Sequence, residues 1–293
     1  MGGGTVLVVG GTGRLGGRVA SQLLQDGFVV RLLVRDVDRA RRLLGAGFDH
    51  VQGDVTDPAA VRRALQGCDA VHVSLMAGSN PARVDAVEHR GTACVAERAA
   101  AQGISRLTYL SGEFAGDQRA MRSPIERAKS LAEQAIEQSG VPFTIFKPTY
   151  FMDTLPRHIQ GRLAVVLGRP RPVRMVAASD FARMVSHALG EPAAANRRFY
   201  VYGPEAVTIA DGLRLYCKLV QPGPRVVTVP LGLMSMINTL FMGGRLRREL
   251  DTMSLLQRIG SADDGGDADK VLGPATTTLR QWCQRQRLST APA

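Results

Sequence analysis

The sequence predicts an α/β protein, a doubly wound parallel sheet covered by helices on both faces, with a smaller and less regular α/β lobe after it. Three observations predict this. Strand and helix patterns alternate from Thr5 to Tyr150 with short joints. The strands read as continuous apolar runs, as strands buried on both faces do. A glycine-rich turn joins the first strand to the first helix.

The elements follow in order. TVLVVG (Thr5 to Gly10) is a buried strand rich in β-branched residues, and a helix pattern runs from Leu15 to Gln25. FVVRLLVR (Phe28 to Arg35) is the second strand; a helix over Asp38 to Leu44 leads to a short strand, DHVQGD. DPAAVRRALQG carries Asp57 as cap, Pro58 at the first helical position and Gly67 as stop. DAVHVSL is the fourth strand, and PARVDAVEHRGTACVAERAAAQG is one long helix ending at Gly103. RLTYLSG, SPIERAKSLAEQAIEQSG and PFTIFKP give the fifth strand, a helix stopped by Gly140, and the sixth strand. Beyond Tyr150 helices are expected near Asp180–Leu189, Ile209–Val220, Leu231–Phe241 and TTTLRQWCQRQR, with a strand at RFYVYG. SADDGGDADK (Ser261 to Lys270) reads as a mobile polar loop. The boundaries expected are 1–150 for the sheet domain and 151–293 for a lobe that leans on it and does not fold alone.

A chain of 293 residues allows one large domain or a domain with a lobe, and 45% hydrophobic content suffices for a sizeable core. The formal net charge is +11, with 33 Arg against four Lys. The bases are dispersed, and the densest runs, Arg35 to Arg42 and Gly244 to Leu250, carry acids among them. They read as solvated faces, and no nucleic-acid partner is expected. Cys68, Cys94, Cys217 and Cys283 have neither metal nor redox spacing, and the five histidines form no cluster. No metal is expected, and a reducing cytoplasm suits the cysteines. The N-terminus enters a strand directly, without a targeting pattern. The apolar stretch Val229 to Gly244 is shorter than the ~20 residues of a membrane span and reads as a core or pocket helix, with a membrane-surface or partner-binding helix as the other reading.

Gly10, Gly13 and Gly16 form G-x-x-G-x-x-G between the first strand and first helix. That context suits phosphate: the glycines permit a tight turn and close approach, and the helix N-terminus offers free N–H groups. The second strand ends in Val34 and Arg35, where an NAD site has an acid for the ribose 2′-hydroxyl. Arg35 can pair with a 2′-phosphate, and Arg14 and Arg39 can join it. NADP(H) is the expected cofactor, with NAD(H) possible because Asp36 stands beside Arg35.

The chain resembles the NmrA-like NAD(P)-binding proteins among the atypical short-chain dehydrogenases/reductases. VVGGTGRLGG is similar to that family's glycine loop, GDVTDP to its adenine-flanking motif and GISRLTYLSG to its fifth strand. KSLAEQAIEQSGVPFTIFKPTYFMD, ASDFARMVSHAL, FYVYGPEAVT and LGPATTTLRQW resemble its later motifs in order. The resemblance implies a Rossmann-type domain with a small C-terminal substrate lobe. It implies cofactor contacts from Gly10, Thr12, Gly13, Arg14, Leu15, Gly16, Asp54, Val55, Ser74, Leu75, Met76, Lys129, Pro148, Tyr150 and Phe151. The family's Arg-Pro at the end of the sixth strand is Lys147-Pro148 here, which loses the guanidinium fork.

The common chemistry of these dehydrogenases uses Tyr-x-x-x-Lys on one helix face, and here Ile125 stands four before Lys129. The helix Asn of extended members is Glu88, three before Gly91-Thr92. Three explanations compete. Lys129 works as acid or base without Tyr, as in the isoflavone-reductase branch that this spacing resembles. Another hydroxyl, Ser111 or Tyr150, substitutes at the carboxyl edge of the sheet. Or no proton transfer is needed. Lys129 equally suits holding the nicotinamide ribose, Ser111 suits bonding backbone, Tyr150 suits packing, and His158 suits the surface.

The function expected is an NADPH-dependent reductase that transfers hydride to a small apolar carbonyl, quinone or enone, with Lys129, Ser111 and Tyr150 as candidate catalytic residues. The alternatives are a non-catalytic NAD(P)-sensing regulator that binds a partner protein and a redox-neutral isomerase or epimerase using bound NADP. A small-molecule substrate is the expected partner; a protein partner or homodimer is compatible.

Overall fold

The structure is a computed structural model that describes residues 3–260 and 266–290. A seven-stranded sheet has the order β10-β6-β5-β4-β1-β2-β3. Its strands are β1 (Thr5–Val9), β2 (Val29–Val34), β3 (Asp49–Gln52), β4 (Ala70–Val73), β5 (Arg106–Leu110), β6 (Phe143–Pro148) and β10 (Arg197–Val201). β1 to β6 pair in parallel, with Val6 opposite both Val30 and Ala70. Every residue of β4 and β5 is buried, which is why these strands read as unbroken apolar runs. The strand order reverses between β1 and β4, so their carboxyl ends flank a switch-point crevice.

The crossover helices are α1 (Arg14–Gln25), α2 (Val37–Leu44), α3 (Pro58–Leu65), α4 (Pro81–Val84), α5 (Thr92–Ala101) and α6 (Pro124–Gln138). α3, α5 and α6 form one layer on the sheet, closing a core of Val61, Leu65, Val95, Ala99, Ala132 and Ile136 against Leu7, Val71, Leu107 and Ile145. The caps fall where the composition put them: Asp57 accepts from Ala59 N at 2.9 Å, and Pro58 opens α3. The expected single helix from Pro81 to Gly103 is instead interrupted by a seven-residue π-helical segment, Asp85–Gly91, between α4 and α5.

The chain divides into two compact units. The first comprises Met1–Lys147, Phe181–Tyr200 and Asp267–Gly273, and the second Pro148–Asp180, Val201–Gly266 and Pro274–Ala293. The first break lies close to residue 150, but the second half is not one contiguous lobe. α7 (Ala178–Gly190) and β10 carry the chain back into the first unit, where Phe181 packs edge-on against Phe146 with centroids 5.5 Å apart.

The second unit contains β7 (Ile159–Gln160), β8 (Leu163–Leu167), β9 (Val173–Arg174), β11 (Ala206–Val207) and β12 (Arg225–Val229). β12-β8-β7 and β11-β9 form two small sheets. Its helices are α8 (Ile209–Leu219), α9 (Leu231–Phe241), α10 (Arg247–Arg258) and α12 (Leu279–Thr290), with α11 (Asp267–Leu272) in the first unit. The short strands and α10 were not legible in the sequence. α11 occupies part of the stretch expected as a loop, and 261–265 lie outside the described residues. α9 matches its predicted bounds but is not core, since Leu233, Met236, Leu240 and Phe241 are all exposed. Among the described residues no helix is long and apolar enough to cross a membrane.

Candidate cofactor and active site

The glycine turn lies at the carboxyl end of β1, on the switch-point crevice. Gly10 has φ +90°, and a Cβ there would meet the Ser74 carbonyl oxygen at 2.1 Å. A Cβ on Gly16 would meet the Gly10 oxygen at 2.4 Å, so loop and helix pack backbone to backbone. Gly13 caps α1 without any side-chain bond, and no acid stands in the first turn. Thr12, Gly13 and Arg14 are exposed and Leu15 is half-buried. The turn therefore presents a positive helix end with no side-chain cap to solvent, which is what a pyrophosphate requires.

Arg35 and Asp54 stand at the ends of neighbouring strands, with Arg35 Nε 3.9 Å from Asp54 Oδ2, and both are solvent-accessible. Burial alone raises the Asp54 carboxyl, but bonds from Thr56 N and Oγ1 and the nearby Arg35 and Arg83 outweigh it and hold the group below the usual range. Asp36 is engaged elsewhere: its Oδ1 accepts from Arg39 N at 2.9 Å and caps α2. Val55 is buried against Gly91. Ser74 continues β4, donating from its N to Val9 O at 2.9 Å, and Met76 is exposed.

Lys129 is brought to the end of β5, next to the backbone of Ser111. Lys129 Nζ donates to Leu110 O at 3.1 Å, one residue before Ser111, and lies 5.3 Å from the Tyr109 ring centroid. Glu88 Oε2 lies 3.7 Å from the same nitrogen. Glu126 and Lys129 pack against Gly112, where a Cβ would meet Glu126 Oε2 at 2.7 Å and Lys129 Cδ at 3.2 Å. The Ser111 hydroxyl donates to Glu133 Oε1. Burial raises the Glu133 carboxyl, against the pull of Lys147 at 3.8 Å, the Ser111 bond and Arg198 at 3.4 Å. Lys147 Nζ also donates to Ala115 O, so the lysine found in place of arginine ties down the segment after β5.

The sequence reading missed Glu126 and Glu133, and saw in Glu88 only an absent Asn. Their spacing held the signal: Glu126 and Glu133 stand three before and four after Lys129, on one helix face.

Pro148, Tyr150 and Phe151 belong to the second unit. Phe151 is buried and bridges Val176. Tyr150 OH is 2.7 Å from His158 Nε2, and His158 Nδ1 is 2.8 Å from Val165 O. The carbonyl can only accept, so Nδ1 carries the proton and Nε2 accepts from the phenol. Burial pushes the Tyr150 phenol up to about 12 and lowers His158. His158 is thus a partner of Tyr150 and not the plain surface residue expected.

Comparison with known proteins adds to this geometry. A family model described as NAD(P)H-binding matches residues 10–192. The chain is 31% identical over 213 residues to the NAD(P)H azoreductase of Xenophilus azovorans, covering 70% of each. It is 35% identical over 210 residues to the (4-alkanoyl-5-oxo-2,5-dihydrofuran-3-yl)methyl phosphate reductase of Streptomyces griseus, again covering 70% of each. The crystal structure of an NADPH-dependent quinone oxidoreductase from Escherichia coli matches with a TM-score of 0.74 at 19% identity, over 96% of this chain and 98% of that one, a likeness of fold.

Proposed function

This chain belongs to the NAD(P)H-binding family and is an NAD(P)H-dependent oxidoreductase, and on that premise we propose that it prefers NADPH and reduces a small, apolar carbonyl, quinone or enone. The family resemblance drawn from the motifs is borne out by the match to residues 10–192. NADPH, when bound, supplies the hydride.

The chain's own residues do the rest. The Gly10–Gly16 turn and the start of α1 hold the pyrophosphate through main-chain N–H groups. Arg35, exposed at the end of β2, takes the 2′-phosphate. Asp54 and Val55 flank the adenine, and Ser74, Leu75 and Met76 pass along the crevice. Lys129 and Ser111 position the acceptor, with the Lys129 ammonium at hand to donate a proton. Tyr150, protonated and backed by His158, is the second hydroxyl that the sequence offers. The observation that carries the phosphate preference is the engagement of Asp36 as the cap of α2, which leaves Arg35 as the charged group presented at the strand end.

Calorimetric titration with NADPH, NADP+, NADH and NAD+ tests this. Wild type is expected to prefer the phosphorylated pair. Arg35→Ala should weaken NADPH about 10- to 100-fold, the worth of a charge-assisted bond, and leave NADH within about threefold. Equal weakening of both removes the 2′-phosphate assignment. Discrimination by oxidation state alone, with no acceptor turned over, returns the protein to the sensor reading.

A further inference from the structure

The π-helical segment Asp85–Gly91 has Glu88 at its centre, and Glu88 is fully buried. π segments are rare inside helices and are concentrated at functional sites. Its carboxylate reaches two places. Oε1 accepts the Ala77 N–H at 2.8 Å, and Oε2 lies 3.7 Å from Lys129 Nζ. Ala77 directly follows Ser74–Met76, and the Ser74 carbonyl packs on Gly10. Lys129 in turn donates to Leu110 O, beside Ser111. A buried carboxylate is tolerated only when paired and hydrogen-bonded. Here one oxygen accepts a main-chain N–H from the segment after β4 and the other is ion-paired with the lysine.

We propose that Glu88 is the positioning residue for Lys129, holding its ammonium at the end of β5 and keeping it protonated, so that the lysine serves as a proton donor without a tyrosine. This rests on the reductase reading above. During reduction the Nζ–H bond breaks, and its proton goes to the anion that the acceptor becomes on taking hydride. The neutral amine then takes a proton from water and returns to the ammonium. The carboxylate of Glu88 stays charged throughout and is not consumed. The ionisable groups around Lys129 include Glu88 from the π segment, Glu126 from its own helix and Tyr109, by its ring, from β5. Glu113 follows in the segment after β5, and Glu133, one turn along α6, is engaged by Ser111, Lys147 and Arg198. Among these, Glu88 is the fully buried carboxylate placed beside Nζ.

Two measurements on Glu88→Gln test this. The first is the pH profile of kcat/KM with NADPH and a quinone. Activity needs the ammonium, so it falls as pH rises through the lysine's titration. Glu88→Gln should move that fall at least one pH unit lower, and Glu88→Asp, which keeps the charge, should recover most of the difference. The second reads Lys129 directly through the Nζ resonance of protein carrying nitrogen-15 lysine, a spectrum of four lysines in which Lys129→Arg identifies the signal. Its titration should move lower in Glu88→Gln even without any substrate. Should Glu88→Gln not fold, Glu88→Asp is read instead, with a smaller shift of the same sign expected. An unmoved Nζ titration overturns the proposal. A moved titration in a protein that reduces no acceptor leaves the pairing standing and removes the reductase reading.

Discussion

At the glycine turn, what a ligand meets is the main chain at a helix N-terminus without a side-chain cap, on a loop where a Cβ at Gly10 or Gly16 has no room. Around Lys129 the groups are side chains from the π segment, α6 and β6, buried and charge-paired. The first site is fixed by what the chain lacks, side chains at Gly10 and Gly16. The second is fixed by what two carboxylates, Glu88 and Glu133, and two cations, Lys129 and Lys147, do to one another in a low-dielectric setting. One is therefore broken by adding an atom, the other by removing a charge.

The largest expected effect is at the charged end. Lys129→Met should lower kcat/KM about 10²- to 10⁴-fold, the range for loss of a proton-transfer group. It also strands Glu88 without its cation, so the melting temperature should fall, by an equivalent of about 3 kcal/mol. The double variant Glu88→Gln/Lys129→Met should recover stability but not activity, and a double variant no more stable than Lys129→Met refutes the pairing. Near-wild-type activity in Lys129→Met removes the lysine from the chemistry.

Gly10→Ala comes next. It forces a positive φ on an L side chain and drives a methyl into the Ser74 carbonyl. About 2–4 kcal/mol of stability should be lost, with NADPH binding gone in calorimetry. Retained binding means the turn is not the phosphate cradle.

His72 separates core from site. It is buried in β4, bonded to Thr108, and burial lowers it to about 3 from 6.5. The folded state therefore binds its proton less readily than the unfolded state. Stability from this group is complete above pH 6.5 and is lost as pH falls toward 3, by about 1.4 kcal/mol per pH unit. Chemical denaturation between pH 4 and 6 should show that slope, and His72→Leu should flatten it.

The smallest effect is at Asp36. Asp36→Ala removes the cap of α2 and should cost about 1 kcal/mol by thermal melting. It should change the NADPH to NADH ratio far less than Arg35→Ala does. A larger change in the ratio than Arg35→Ala gives would make Asp36, not Arg35, the selector.

Much of this was legible locally. Strand runs, the Asp57-Pro58 cap and the glycine spacing depend on neighbours a few residues apart, and each landed within a residue or two of its place. The second half was less legible because its strands are as short as two residues, too brief for a period to show. The π segment was hidden because its residues read like any helix; the extra residue per turn leaves no compositional trace.

By itself, then, the sequence determined the parallel sheet, the glycine turn, the charge at the end of the second strand and the absence of a tyrosine at position 125, since each is a property of local pattern or of one residue's identity. The tertiary structure decided the rest. It set Glu88 against Lys129 across 41 positions of chain, gave Ser111 its acceptor in Glu133 and His158 its partner in Tyr150, and committed Asp36 to a helix cap. The reason is physical: charge pairing in a buried site depends on distance through space, and only the fold sets that distance.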